Sequence, residues 1–145
     1  MERIMIGKPV IPGSAKGVAV VSKEPLSLWG GLNAYTGEII DRRHERSGAI
    51  VTGKVFVFPQ GRGSSTASAI LVESVKAGTA PAAIINLKVD PILALGAIVA
   101  DELYHKTVPI VVVSAEDFQT IQEGDYLEIT LDGTITLRRK DNLTT

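Results

Sequence analysis

The middle of the chain alternates between short apolar strands and helices, and this order limits the folds open to it. Strands are predicted at residues 54–59, 82–86 and 108–114, where β-branched and other apolar residues run together between turn signals. Helical patterns separate them. Alternation of strands and helices of this kind favours a small α/β layer.

Both intervening helices have recognisable ends. The first has an apolar stripe made of Ala67, Ile70, Leu71 and Val75, and Gly78 supplies its stop. The second opens at Asp90 and Pro91, an N-cap followed by a first helical proline, and runs from Ile92 to about Leu103. It is apolar on nearly every side.

The two ends of the chain are richer in strands. Residues 16–22 and 47–53 are predicted strands, and residues 125–139 form a hairpin around an Asp132-Gly133 turn. Ser114 is positioned to cap a short helix after the third middle strand. The pattern predicts a β-rich layer joined to a small α/β layer in one domain, with a flexible tail at residues 141–145.

Composition excludes several classes of function. The formal net charge of the 145 residues is −1, so no strong field would recruit nucleic acid or an anionic membrane. There is no cysteine, so the chain cannot by itself hold a disulfide, a zinc–thiolate site or an iron–sulfur cluster. No apolar stretch is long enough to span a bilayer and no signal peptide is evident, which predicts a cytoplasmic protein.

The most unusual segment is "GRGSSTAS", residues 61–68, between a predicted strand and a predicted helix. Its glycines allow backbone N–H groups to approach an anion, and the helix start adds partial positive charge. A serine there could act as a base if its alkoxide were stabilised by the loop and by Arg62. The alternative is that Ser64 and Ser65 only cap the helix, which is worth about 1 kcal/mol.

Other motifs are weaker. The loop begins like a dinucleotide-binding fingerprint, but Thr66 stands where glycine or alanine is needed. Residues 48–55 imitate a phosphate-binding loop, but Val55 replaces the magnesium-binding hydroxyl. His44 lies in a densely charged run and is predicted to be a surface residue.

The residues "FVFPQGRGSSTASAILVESVKAGTAPAAIIN" and "DPILALGAIVADELYHKTVPIVVV" resemble the small subunit, or swivel domain, of the aconitase X family of dehydratases. The resemblance covers roughly residues 6–135. It implies a swivelling β/β/α domain of the kind that forms the fourth domain of aconitases, with a barrel-like β-rich layer packed with a small α/β layer over residues 1–140.

The resemblance also implies a mechanism. Ser64 would be the base that abstracts the substrate proton, and Arg62, Gly63, Ser65 and Thr66 would contribute to substrate binding. Aconitases follow the serine pair with an arginine, whereas this chain has Thr66. The resemblance implies that an iron–sulfur cluster is held by a large partner subunit and that this chain carries no metal.

Two substrates remain open. The bacterial and fungal type of the family dehydrates cis-3-hydroxy-L-proline, and "GRGSSTAS" with "VADELY" is closer to that type. The alternative is the archaeal phosphomevalonate dehydratase small subunit of the mevalonate pathway. Two alternatives from other classes are a phosphohistidine-type swivel module, which would need a histidine in the mobile loop, and a non-catalytic interaction domain.

Overall fold

A computed structural model describes residues 2–62 and 66–139, which form eight strands and four helices. The strands are Glu2–Ile6 (β1), Lys8–Ile11 (β2), Ala15–Val21 (β3), Val55–Val57 (β4), Ala83–Asn86 (β5), Ile110–Val112 (β6), Tyr126–Ile129 (β7) and Thr134–Arg138 (β8). The helices are Leu28–Gly31 (α1), Thr66–Ala77 (α2), Pro91–Tyr104 (α3) and Ala115–Thr120 (α4).

All eight strands belong to one sheet in the order β1-β8-β7-β3-β4-β5-β6-β2. The two strands at its ends, β1 and β2, are consecutive in the chain and are separated by Gly7 alone. The Gly7 N–H donates to the Gly133 carbonyl, 3.0 Å away in the β7–β8 turn. The sheet therefore curls into a nearly closed barrel, which leaves little free strand edge.

The barrel has a parallel and an antiparallel half. Strands β3, β4, β5 and β6 run parallel, and α2 and α3 are the crossovers that join β4 to β5 and β5 to β6. Strands β1, β8, β7 and β3 pair antiparallel. The carboxyl ends of the four parallel strands consequently meet at one edge, called the carboxyl edge below, where parallel sheets commonly bind ligands.

Successive side chains along a strand point to opposite faces of the sheet, and this divides the buried core into two clusters. Val55 and Val57 of β4 point into the barrel, while Phe56 and Phe58 pack under α2 and α3 with their rings stacked 4.2 Å apart. Phe118 of α4 joins the cluster inside the barrel. Helices α2 and α3 lie against each other over the outer face of the parallel strands.

Most of the predicted elements are confirmed. Both crossover helices, the strands between them and the terminal hairpin are present, and the mixed α/β class with its barrel-like layer is confirmed. The predicted strand at residues 47–53 is wrong: this stretch forms turns, and Ile50 makes a single bridge to Glu38. The predicted serine cap of α2 and the tail at residues 141–145 lie outside the described residues.

Candidate functional site

A cleft of about 230 Å³ opens at the carboxyl edge between the loop after β4 and the start of α3. One wall comes from residues that precede and follow the predicted serine loop in the chain. The other comes from the loop before α3 and the first residues of that helix. The lining residues are Gln60, Gly61, Arg62, Ala67, Val89, Asp90, Pro91 and Ile92.

Backbone bonds fix the loop that follows β4. The Pro59 carbonyl accepts from the N–H groups of Leu87 and Lys88, which tie the loop to the end of β5. Further along, Leu26 N–H donates to the Gln60 carbonyl at 3.3 Å, and Arg62 N–H donates to the Leu26 carbonyl at 3.1 Å. Because the Leu26 side chain is fully buried, these bonds anchor Arg62 to the core.

Asp90 links this loop to α3. Its Oδ1 accepts from the N–H groups of Ile92 at 3.0 Å and Leu93 at 3.2 Å, which confirms the predicted N-cap. Its Oδ2 accepts from the Gly61 N–H at 2.8 Å. A Cβ atom at position 61 would lie 2.4 Å from that oxygen, so glycine is needed for the approach. One carboxylate thus sets the distance between the two cleft walls.

The predicted site residues are only partly described. Arg62 is exposed and lines the cleft, and Thr66 is the exposed first residue of α2. Gly63, Ser64 and Ser65 lie outside the described residues. Arg62, directly before this segment, and Ala67, two residues after it, both line the cleft.

The cleft walls present opposite charges. The guanidinium of Arg62 can bind a carboxylate or phosphate in bidentate fashion. The Asp90 carboxylate is half-buried and already accepts three N–H groups. The sequence predicted Asp90 as a helix cap but missed its bond to Gly61, because a contact across 29 residues has no local signal.

The prediction that His44 is a surface residue is wrong, since only 6% of it is exposed. Its Nδ1 accepts from the Arg46 N–H at 3.1 Å, so the ring proton lies on Nε2, which is 3.2 Å from the Oγ of the fully buried Ser22. In this tautomer His44 donates to Ser22. It therefore does not serve as a base toward that hydroxyl.

Glu45 completes this cluster from the solvent side. Its Oε1 accepts from the Lys23 N–H and lies 3.1 Å from Ser22 Oγ. The pKa of Glu45 is held below its usual value, first by the Lys23 N–H bond and then by the bonds from Ser22 and Glu24. These contacts fasten the end of β3 to the loop that contains residues 41–46.

The donor set of the described residues does not fit a metal centre. No group of three or more His, Cys, Asp or Glu side chains that could hold a metal ion occurs within residues 2–62 and 66–139. The sequence has no cysteine to ligate an iron–sulfur cluster. In the same described ranges, no helix combines the length and the apolar composition needed to cross a membrane.

Comparison with known proteins gives one consistent family. The model of the aconitase X swivel domain matches residues 4–137. The chain is 38% identical over 94% of its length to cis-3-hydroxy-L-proline dehydratase of Pseudomonas aeruginosa, and it spans 23% of that protein. It is 39% identical over 88% of its length to the phosphomevalonate dehydratase small subunit of Methanocella arvoryzae, of which it covers 92%.

A solved structure shows the same fold. The aconitase X of Thermococcus kodakaraensis, in its holo-form, superposes with a TM-score of 0.85 at 31% identity, covering 94% of this chain and 99% of that one. The two kinds of curated relative differ in length. The chain spans less than a quarter of the hydroxyproline dehydratase but nearly all of the phosphomevalonate dehydratase small subunit.

Proposed function

Because the chain belongs to the aconitase X swivel domain family, we propose that it is the small subunit of a dehydratase that eliminates water from a hydroxy acid. The observation that carries the proposal is the cleft at the carboxyl edge. Arg62 and Ala67 line this cleft. Of the described lining residues, these two are the closest in the chain to the predicted base Ser64. The dehydratase names of the relatives support the reaction class.

In the proposed reaction, Ser64 takes the proton from the substrate carbon next to the carboxylate. The C–H electron pair forms the new carbon–carbon double bond, and the hydroxyl leaves the neighbouring carbon with its bonding pair. Arg62 binds the substrate carboxylate and stabilises the Ser64 alkoxide. Gly63, Ser65 and Thr66 are proposed to bind substrate through backbone N–H groups and hydroxyls.

The large subunit is the proposed holder of the iron–sulfur cluster. Such a cluster supplies a Lewis acid for a leaving hydroxyl. This chain has no cysteine, and the described residues contain no metal-binding group, so the proposal assigns the chain only proton transfer and substrate binding.

We propose cis-3-hydroxy-L-proline as the first substrate to test. Arg62 is the one cationic side chain among the described residues that line the cleft, which suits a substrate with a single anionic group, its carboxylate. The second candidate is a phosphomevalonate, and it is favoured by the near-complete coverage of the Methanocella arvoryzae small subunit.

Co-production with the large subunit and assay of both substrates tests the proposal. We expect turnover of one substrate by the complex and by neither subunit alone. Ser64→Ala should lower kcat by about 10²- to 10⁴-fold while the complex still forms. Ser47→Ala, at an exposed position outside the cleft lining, is the matched control. Near-normal turnover by Ser64→Ala would refute the role of Ser64.

The phosphohistidine alternative has little support. His44 is buried and hydrogen-bonded through both ring nitrogens, so a phosphate donor has no access to it in this fold. An acid-labile phosphate on the chain after incubation with a phosphate donor would revive that alternative.

A further inference from the structure

The solvent-facing side of α3 is unusually apolar. Leu95 and Ile98, one helical turn apart, are 52% and 55% exposed, and Val89 just before the helix is 53% exposed. Leu93, Ala97 and Ala100 on the opposite side are buried in the core. A helix on a protein surface normally has polar residues on its outer face, so packing within this domain does not explain Leu95 and Ile98.

This apolar surface is continuous with the cleft. Val89 and Pro91 line the cleft, and the next outward positions along α3 are Leu95 and Ile98. One turn after Ile98 the exposed Asp101 and Glu102 border this surface, and beyond them Leu103 is 58% exposed as well. We call Val89, Pro91, Leu95 and Ile98 the α3 patch.

We propose that the α3 patch docks on the large subunit of the dehydratase, an inference that rests on the proposed function. The domain occurs both as a separate small subunit and as 23% of a longer dehydratase chain, so the occupant is the remaining and larger part of the enzyme. The cleft is open on its outer side, and proton transfer requires that water be excluded from it. A partner that covers the cleft next to Val89 and Pro91 also reaches Leu95 and Ile98.

Another exposed apolar pair serves as a matched control. Ile4 and Ile6 of β1 are 63% and 73% exposed, which is more than Val89, Leu95 or Ile98 of the α3 patch. They lie on the antiparallel half of the barrel, where β1 pairs with β8, and they do not line the cleft. If exposure alone determined docking, this pair would be the better candidate.

The experiment compares Leu95→Glu/Ile98→Glu with Ile4→Glu/Ile6→Glu in binding to the large subunit. We expect the α3 double variant to raise Kd at least about tenfold, as charges in the centre of an interface do, and the β1 variant to stay within about twofold of wild type. Thermal unfolding of each isolated variant checks the fold. Val89→Glu, outside the helix, gives a second measurement if the α3 double variant unfolds.

Wild-type affinity in both Leu95→Glu/Ile98→Glu and Val89→Glu, or loss of binding only in Ile4→Glu/Ile6→Glu, would overturn the docking proposal. Failure of the proposed function has a different signature. In that case the wild-type subunits bind each other but dehydrate neither cis-3-hydroxy-L-proline nor phosphomevalonate. Absence of any wild-type complex would overturn both.

Discussion

The backbone N–H of Gly61 donates to Oδ2 of Asp90 across 2.8 Å, while Oδ1 of the same carboxylate caps α3. The bond joins the last described part of the loop before Ser64 to the helix on the other side of the cleft. Since Arg62 follows Gly61 directly, this bond helps to fix the backbone from which the guanidinium proposed to bind substrate extends. We therefore propose that Asp90 is a positioning residue for Arg62.

Asp90→Ser separates the two roles of this carboxylate. Serine still caps α3 but is too short to reach Gly61. We therefore expect kcat of the proposed dehydratase complex to fall at least about tenfold, in line with loss of a charge-assisted bond. Asp90→Ala should lower kcat as much as Asp90→Ser does. It should also lower the free energy of unfolding by about 1 kcal/mol more, because the helix cap is lost as well. Steady-state kinetics and urea unfolding measure the two effects. Wild-type turnover in Asp90→Ser would show that the anchor is dispensable.

Gly61→Ala provides the control for this prediction. Its Cβ would lie 2.4 Å from Asp90 Oδ2, so the substitution should destabilise the wild-type chain. In Asp90→Ser that oxygen is gone, and the cost of Gly61→Ala should shrink by about 1–2 kcal/mol in a double-mutant cycle. Additive costs would mean that the two groups do not meet in solution.

Arg62→Gln tests the cation on the cleft wall. Loss of a bond between a guanidinium and a carboxylate is worth about 1.5–3 kcal/mol, so KM should rise about 10- to 150-fold. The free energy of unfolding should change by less than about 0.5 kcal/mol, because the side chain is exposed. Arg43→Gln, an exposed arginine that does not line the cleft, is the control. Equal KM values for the two variants would contradict the proposed role.

The sequence predicted most of the fold where one local signal sufficed. The Asp132-Gly133 turn predicted the hairpin, and Asp90-Pro91 predicted the start of α3; both are confirmed. Strands β1 and β2 were not predicted. Both strands are short. They are defined by pairing with strands more than 90 residues away in the chain, β1 with β8 and β2 with β6.

The errors at residues 41–53 have a similar origin. The short apolar run at residues 49–51, bounded by glycines, predicted a strand over 47–53, but Gly48 and Gly53 adopt positive φ and turn the chain. The charged run around His44 predicted a solvated surface. Its burial depends on Ser22 at the end of β3, a partner that no pattern near His44 indicates. The family resemblance named Ser64 and Arg62 as candidates, and their roles stay predictions, while the cleft lined by Arg62 and Ala67 became visible only in the fold.

Glu45→Gln tests the His44 cluster through its pH dependence. The folded-state pKa of Glu45 lies below its usual 4.5, first because of the Lys23 N–H bond, so its stabilising effect is present above about pH 4.5 and disappears as pH falls through the lowered value. We expect Glu45→Gln to lower Tm by about 2 °C at pH 7, a small shift because the side chain is exposed. The difference from wild type should shrink as the pH falls below 4.5. Thermal melts at several pH values measure this. A difference that does not change with pH would contradict the assignment, and Glu73→Gln on the exposed side of α2 is the control.

Gly133→Ala tests closure of the barrel. Gly133 has a φ of 88°, and an added Cβ would lie 2.5 Å from the Gly7 carbonyl oxygen at the β1–β2 junction. Gly48 has a similar φ of 91° but nothing within 4 Å of an added Cβ, so Gly48→Ala measures the backbone strain alone, about 1 kcal/mol. Gly133→Ala should cost about 1–3 kcal/mol more than Gly48→Ala, because it also forces the β1–β2 junction away from the hairpin. Equal losses in the free energy of unfolding would mean that β1 and β2 separate from the hairpin easily and that the contact between Gly7 and Gly133 does not hold the barrel closed.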